Sequence, residues 1–305
     1  MKVVCIINNK NNRLSRLLPQ LERMSREPAL GSVHLLTTLW AGHAVELARQ
    51  ATQDGCDYLV AVGGDGTLHE VVNGMMQSNI PTNAHPALGL LPYGSANDFA
   101  RTTGITPSFE ALILNIRNRA TRRLDLGKII LDPRGETRYF INISGVGLGA
   151  EVVKRMENAS GFLDSRMGYF WHILKGFYRY TKKEVLLTEG DWHWKGPLMQ
   201  LAVANGRYFG NAICVAPEAI PDDGKLHLSI FGDLSLKDYL LNLPKLKKGV
   251  AIHHPEVHYR EARMIRLESV HPCGIEADGE YVGQAPATFS ILPGAIRFIG
   301  SLGRD

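Results

Sequence analysis

Cysteine is scarce in this 305-residue chain: Cys5, Cys56, Cys214 and Cys273 stand far apart, with no CxxC pair. That spacing argues against a disulfide framework and a cysteine-built metal cluster, and it suits a reducing compartment. Long apolar runs are missing too. None approaches the ~20 residues that a membrane-spanning helix requires. The opening Met1-Lys-Val-Val-Cys-Ile-Ile-Asn8 is too short in its apolar part for a signal peptide and lacks a small-residue cleavage site, so it reads as a strand. The expected location is therefore the cytoplasm, with any membrane contact peripheral, at the inner face. Charge of one sign is also sparse: 34 Lys+Arg against 30 Asp+Glu leave +4. This bias is too weak to indicate nucleic acid but is compatible with an anionic membrane surface. There is no internal repeat, no low-complexity tract, and no Gly-x-x-x-x-Gly-Lys-[Ser/Thr] loop, so the chain is not a P-loop kinase.

What is present begins with alternation. Apolar segments at 3–8, 32–38, 58–62 and 87–91 alternate with helical patterns at 14–26, 44–52, 68–77, 95–102 and 108–118. Such alternation predicts an α/β domain, a doubly wound and mostly parallel sheet with helices on both faces. From about Asp125 the texture changes to short runs punctuated by Gly, Pro, Asn and Asp, at 127–131, 139–144, 198–204, 225–231, 262–267 and 274–277. These predict a second, antiparallel, β-sandwich-like domain with one helical insert over Met167–Lys182. The expected boundaries are 1–124 and 125–289, with 290–305 available to rejoin the first domain. At this length two domains are the natural division.

Val62-Gly63-Gly64-Asp65-Gly66-Thr67 follows the third strand and opens a helix. Glycines let amide groups turn inward, and a helix N-terminus adds partial positive charge, so this turn suits phosphate. Asp65 would repel phosphate unless a cation lay between them, which points to a nucleoside triphosphate with Mg²⁺. The plain alternative is a tight turn with an aspartate cap. A second loop, Pro92-Tyr-Gly-Ser-Ala-Asn-Asp98, follows the fourth strand, and ligands of open α/β sheets bind at such strand ends. Ser95 is a natural helix cap there, with Asp98 three residues on.

The pairing of Gly63-Gly-Asp-Gly-Thr67 with Pro92-Tyr-Gly-Ser-Ala-Asn-Asp-Phe-Ala100 resembles the bacterial lipid kinases of the diacylglycerol kinase catalytic-domain family, relatives of sphingosine and ceramide kinases. Thr38 to Ala44, Asp222-Asp-Gly-Lys-Leu226 and Ala277-Asp-Gly-Glu280 are similar to further motifs of that family. Its usual Asn-Pro…Ser-Gly opening is replaced here by Asn8-Asn-Lys-Asn-Asn12. The resemblance implies ATP held by Asn8, Thr38, Gly63, Gly64, Asp65, Gly66, Thr67, Ser95 and Asn97, with Asp65 acting through Mg²⁺ and Asn97-Asp98 tying the two loops together. Glu70 is expected either at the nucleotide ribose or simply suiting the helix dipole. Asp278 and Glu280, which on sequence alone form an ordinary Asp-Gly hairpin turn, become candidates for orienting or deprotonating the acceptor hydroxyl. The resemblance also implies a structural Mg²⁺ on the Asp223 carboxylate and the carbonyls of Ile220 and Lys225. An empty hairpin is the alternative.

Gly145-Val-Gly-Leu-Gly-Ala150 imitates a dinucleotide fingerprint, but it lies outside a βαβ unit and reads as a turn near the lipid site. The basic, aromatic stretch Ser165–Lys183 is expected to have a mixed role, one face packing on the β domain and the aromatic end helping lipid enter at a membrane interface, and Lys245-Leu-Lys-Lys248 reads as either a basic anchor or a solvated loop. His253, His254 and His258 read as surface residues. The implied activity is ATP- and Mg²⁺-dependent phosphorylation of a lipid hydroxyl, diacylglycerol or a related lipid, in the inter-domain cleft. The partner would be a lipid at a membrane surface, with no nucleic acid; a homodimer is compatible with the sequence. The alternatives are a soluble-metabolite kinase of NAD kinase type and a nucleotide-binding regulator without turnover.

Overall fold

The computed structural model describes residues 1–9, 14–157 and 174–300. Residues 10–12 of the opening loop and residues 167–173 of the expected helical insert lie outside them. The chain divides into two compact units, Met1–Asp125 with the segment from Pro293 onward, and Leu126–Leu292.

In the first unit the strands are β1 (Lys2–Ile7), β2 (Ser32–Thr37), β3 (Tyr58–Gly63) and β4 (Ala87–Pro92), with helices α1 (Leu14–Ser25), α2 (His43–Gln53), α3 (Asp65–Met76), α4 (Asp98–Thr103) and α5 (Phe109–Arg117). The strands pair in parallel in the order β2-β1-β3-β4, with Val4 beside Leu59 and Val62 beside Leu91. The inner strands β1, β3 and β4 are buried on both faces and apolar without alternation, as β3 (YLVAVG) shows at every position, whereas the edge strand β2 is partly exposed. Leu17, Leu21 and Met24 of α1 and Phe109, Leu112 and Ile116 of α5 share a core with Val3, Cys5, Val60 and Val62. On α3, Leu68, Val71, Val72 and Met75 are fully buried, and α2 and α3 pack on the sheet and on each other. The expected doubly wound α/β domain is therefore present. Its order reverses at β1, whose neighbours are β2 and β3, so the carboxyl ends of β1 and β3 flank the topological switch point.

The second unit is antiparallel. β5 (Thr121–Leu131) runs into it, followed by β6 (Glu136–Phe140), β7 (Ile143–Gly147), α6 (Leu148–Glu157), β8 (Lys183–Glu189), β9 (Trp192–Leu198), β10 (Gln200–Ala204), β11 (Tyr208–Phe209), β12 (Ile213–Cys214), β13 (Leu226–Phe231), α7 (Leu236–Lys247), β14 (Val257–Ala262), β15 (Met264–Ser269), β16 (Gly274–Ala277), β17 (Glu280–Gln284) and β18 (Ala287–Ile299). One sheet has the order β14-β13-β10-β7-β16-β17. In the other, β18 pairs β15, β15 pairs β8 and β8 pairs β9, while β5 pairs β18 and β6. Leu201, Val203, Leu226, Leu228 and Ile230 of the first sheet share one core with Leu187, Ile265, Leu267 and Phe289 of the second. This is the expected sandwich. Some boundaries differ, and the run expected over 139–144 is divided between β6 and β7. The single strand expected over 262–267 is two strands, because the chain turns at Arg263, whose N–H donates to Glu189 Oε1 at 3.2 Å. All four cysteines are buried thiols.

Candidate active site

The glycine turn lies where the sheet topology predicts a ligand. β3 ends at Gly63, Gly64 caps α3, and α3 begins at Asp65. Asn8 stands at the end of β1, and its Nδ2 donates to Thr67 Oγ1 at 3.0 Å. Thr38 stands at the end of β2, and its Oγ1 accepts the Asn9 N–H at 3.2 Å. Thr38 and Thr67 are both buried. The ends of three parallel strands are thus knitted together around the first turn of α3, whose free amides and dipole favour an anion.

The second loop is locked to the first by backbone contact. The Tyr93 N–H donates to the Gly63 carbonyl at 2.8 Å. Gly64 and Gly94 meet face to face: a Cβ on Gly94 would stand 2.3 Å from the Gly64 Cα. Asn97, in the left-handed region at φ 53°, accepts the Gly94 N–H on Oδ1 at 2.9 Å and donates Nδ2 to the Gly94 and Pro92 carbonyls.

Asp65 completes the join. Its Oδ2 accepts the Asp98 N–H at 3.1 Å and its Oδ1 the Phe99 N–H at 3.0 Å. The carboxylate therefore caps α4 from 33 residues away. This corrects the expected helix over 95–102. The helix starts at Asp98, Asn97 is its flanking residue, and Ser95 lies exposed on the turn before it. A local serine cap is the obvious reading of the sequence. The left-handed Asn97 turns the chain there instead, so the first amides of α4 face Asp65. Glu70, one turn further along α3, is engaged in the same way. Its two oxygens accept the Gly42 N–H at 3.1 Å and the Ala44 N–H at 3.0 Å, capping α2. Neither cap is legible from local spacing, because each pairs residues distant in sequence.

In the second unit, Ala277 pairs Glu280 across a two-residue connection, with Asp278 at φ 50° and Gly279 at φ 91°. Two successive positive φ values make this a hairpin turn whose twist matches the strands. Asp278 is 7% exposed, and its carboxylate accepts three backbone N–H groups, from Ile141 at 2.9 Å, Asn142 at 2.9 Å and Ile143 at 3.0 Å. The Asp278 N–H in turn donates to the Ile143 carbonyl at 2.9 Å. Asp278 is an anchor. Glu280, the other candidate, is partly exposed at the start of β17.

The Asp222–Lys225 turn leads into β13. Asp223 Oδ1 accepts the Lys225 N–H at 2.9 Å, and His227 Nε2 lies 2.9 Å from Oδ2. The Lys225 ammonium pairs with Glu261. Among the described residues no group of three or more His, Cys, Asp or Glu side chains is placed to hold a metal ion. The Asp223 carboxylate that the resemblance assigns to a structural Mg²⁺, with the Ile220 and Lys225 carbonyls, thus accepts an amide and faces an imidazole.

The same unit contains an apolar pocket. Leu148, Val152, Met199, Phe231 and Leu246 line it with Phe177, and Gln200 and Tyr239 are its polar-bearing members. Gly145–Ala150 runs from β7 into α6, and Leu148 and Gly149 form part of this wall.

Comparisons with known proteins agree with this arrangement. The diacylglycerol kinase catalytic domain matches residues 2–129, and the YegS C-terminal NAD kinase beta sandwich-like domain matches residues 143–300. The protein named "Probable lipid kinase YegS-like" from Chromohalobacter salexigens is 32% identical, over 95% of this chain and 90% of its own. The Bacillus subtilis diacylglycerol kinase is 28% identical, over 90% of this chain and 86% of its own. A diacylglycerol kinase of known structure from Bacillus anthracis shares the fold at a TM-score of 0.70 and 20% identity, covering 98% of this chain and 96% of that one. Two domain matches in the expected order and full-length relatives at this identity place the chain in the diacylglycerol kinase and YegS-like kinase family.

Proposed function

We propose that the chain is an ATP- and Mg²⁺-dependent lipid kinase that transfers the γ-phosphoryl group of ATP to a lipid hydroxyl. The turn from Gly63 to Thr67 receives the phosphates of Mg·ATP, with Asn8 and Thr38 shaping its rim. Asp65 serves by holding this turn and the Pro92–Asp98 loop in one arrangement. Phosphoryl transfer depends mainly on positioning and charge neutralisation, and one carboxylate near the nucleophile suffices for the proton. Glu280 takes that role, because Asp278 is spent on three amides.

The observation that carries the choice of lipid is the pocket of the second unit, walled almost wholly by aliphatic and aromatic side chains. An acyl chain needs such a lining. A dinucleotide acceptor needs polar partners for its sugars and phosphates, and among the described residues of this wall only Gln200 and Tyr239 bear polar side-chain groups. α7 supports presentation of the lipid at a membrane surface. Leu246 and Tyr239 line the pocket, while Leu240 and Leu241 on the same helix are exposed beside exposed Lys237, Lys245 and Lys247.

The test is incubation of purified protein with Mg·[γ-³²P]ATP and, separately, diacylglycerol, monoacylglycerol, sphingoid bases, phosphatidylglycerol and NAD. A labelled lipid is the expected product. Labelled NAD with no labelled lipid overturns the proposal in favour of a soluble-metabolite kinase. ATP binding without any labelled product overturns it in favour of a regulator.

A further inference from the structure

Two residues before Asp278, at the centre of β16, stands a glutamate with no role in the reaction as described above. Glu276 is 0% exposed. Its neighbours Ile275 and Ala277 point into the sandwich core, so Glu276 lies on the opposite face of the sheet, where α6 packs on β16, β17 and β7. The β16–β17 register shifts between Ile275 and Glu276, an irregularity of the kind that re-aims a side chain.

Its carboxyl group has a specific partner. The Gly279 N–H, at the middle of the turn between Asp278 and Glu280, donates to Glu276 Oε2 at 2.7 Å. Oε1 lies over Gly145 of β7, the cross-strand partner of Glu276, and makes no hydrogen bond of ordinary geometry among the described residues. The space is cut to that oxygen, since a Cβ on Gly145 would stand 2.3 Å from it. The backbone is held as well: Ser144 Oγ donates to the Glu276 carbonyl at 2.5 Å. An apolar side chain would fill such a buried site without the cost of desolvating a carboxyl.

We propose that Glu276 is a positioning residue for the acceptor side of the reaction: seated over Gly145, its carboxyl group accepts the Gly279 N–H and thereby sets where Glu280 stands. This rests on the kinase reading above. The turn has two anchors, Asp278 on the segment 141–143 and Gly279 on Glu276, and Glu280 is the next residue along. Burial, reinforced by the neighbouring Asp278 charge, pushes the Glu276 carboxyl well above the usual carboxylate range, against the opposing pull of the Gly279 and Gly145 amides. Burial thus favours the protonated, uncharged form of the group. Among the described residues, charged groups on this side include Glu151 of α6, 3.6 Å from the Cβ position of Gly274, and Lys154 of α6, 4.7 Å from the Tyr281 ring centroid.

The test compares Glu276→Gln, Glu276→Ala and Gly145→Ala in diacylglycerol mixed micelles with Mg·[γ-³²P]ATP, alongside amide hydrogen exchange at Gly279 by NMR. Glutamine keeps an uncharged acceptor, so E276Q retains kcat and its pH–rate profile superposes on that of the parent. E276A and G145A lose about tenfold in kcat, the equivalent of one hydrogen bond, while KM for ATP stays unchanged. Gly279 exchange accelerates by a similar factor in E276A and not in E276Q. Unchanged kcat in both E276A and G145A overturns the proposal, and so does E276Q as inactive as E276A. If E276A does not fold, G145A and the E276Q pH profile decide. If the parent labels no lipid, the kinase reading fails separately, and the exchange rate at Gly279 in E276A decides: unchanged exchange overturns the role of Glu276.

Discussion

Replacing Asp65 by Asn tests whether this residue joins the two loops as the geometry indicates. In the parent, two carboxylate oxygens accept two backbone amides at the start of α4, at 3.1 and 3.0 Å. Asparagine offers one oxygen, and its NH₂ group would face an N–H, so one amide loses its partner and the other loses a charged acceptor. A hydrogen bond to a charged group is worth about 1.5–3 kcal/mol, and a lost helix cap about 0.5–2 kcal/mol. The two figures describe the same pair of amides and overlap, so the loss is about 2–3 kcal/mol. α4 has only six residues, too few to persist without its cap. In a unit of this size each kcal/mol corresponds to about 2–4 °C, so D65N should melt about 4–12 °C lower. Scanning calorimetry with and without saturating Mg·ATP reads this directly. A D65N protein that melts within a degree of the parent yet has lost all phosphoryl transfer refutes the joining role and moves Asp65 to the cation of Mg·ATP.

Gly94→Ala should abolish ATP binding measured by calorimetry, because its Cβ would press 2.3 Å from the Gly64 Cα and force the cradle open; retained binding contradicts the packing. Asp278→Ala should lower Tm sharply by leaving three buried amides unpaired, whereas Glu280→Gln should remove turnover with Tm unchanged; the reverse pattern would exchange their roles. Val215→Trp, which fills part of the apolar pocket, should raise KM for the lipid and leave KM for ATP alone; equal effects on both would detach the pocket from the acceptor. Glu276 also predicts a pH signature in stability. Its native value is raised, so the folded state keeps a proton that the unfolded chain releases near pH 4. Stability from this group is complete below that value and falls, by about 1.4 kcal/mol per pH unit, as pH rises toward the native value. Denaturant titrations at several pH values should show this slope in the parent and lose it in E276Q; parallel curves would mean that Glu276 ionises normally.

Much of the architecture is carried by local pattern. Uninterrupted apolar strands such as Tyr58–Gly63 exist only where helices cover both sheet faces, so the alternation of the first 118 residues already implies a doubly wound sheet. Gly63-Gly-Asp-Gly-Thr67 implies a phosphate turn because few other uses require those glycines at a strand end followed by a helix. What local pattern does not encode is who meets whom. Asp65 and Glu70 read as a cation carboxylate and a ribose or dipole residue, yet each caps a helix remote in sequence, as only the packing of α3 against α2 and α4 could reveal. Asp278 and Glu280 are equal candidates in sequence. Three amides from residues 141–143 separate them, and those residues reach Asp278 only through pairing of β7 with β16. Asp223 reads as a metal ligand, and β13 brings His227 to the same carboxylate, a neighbour that its own turn does not announce. Glu276 passes unnoticed in an apolar strand, because its burial depends on α6 and on a neighbouring strand that carries glycine at the one facing position. Residue type and spacing specify elements and reaction class; the partner of each charged group is set by long-range packing, since an isolated carboxylate in a core is too costly to stand unpaired.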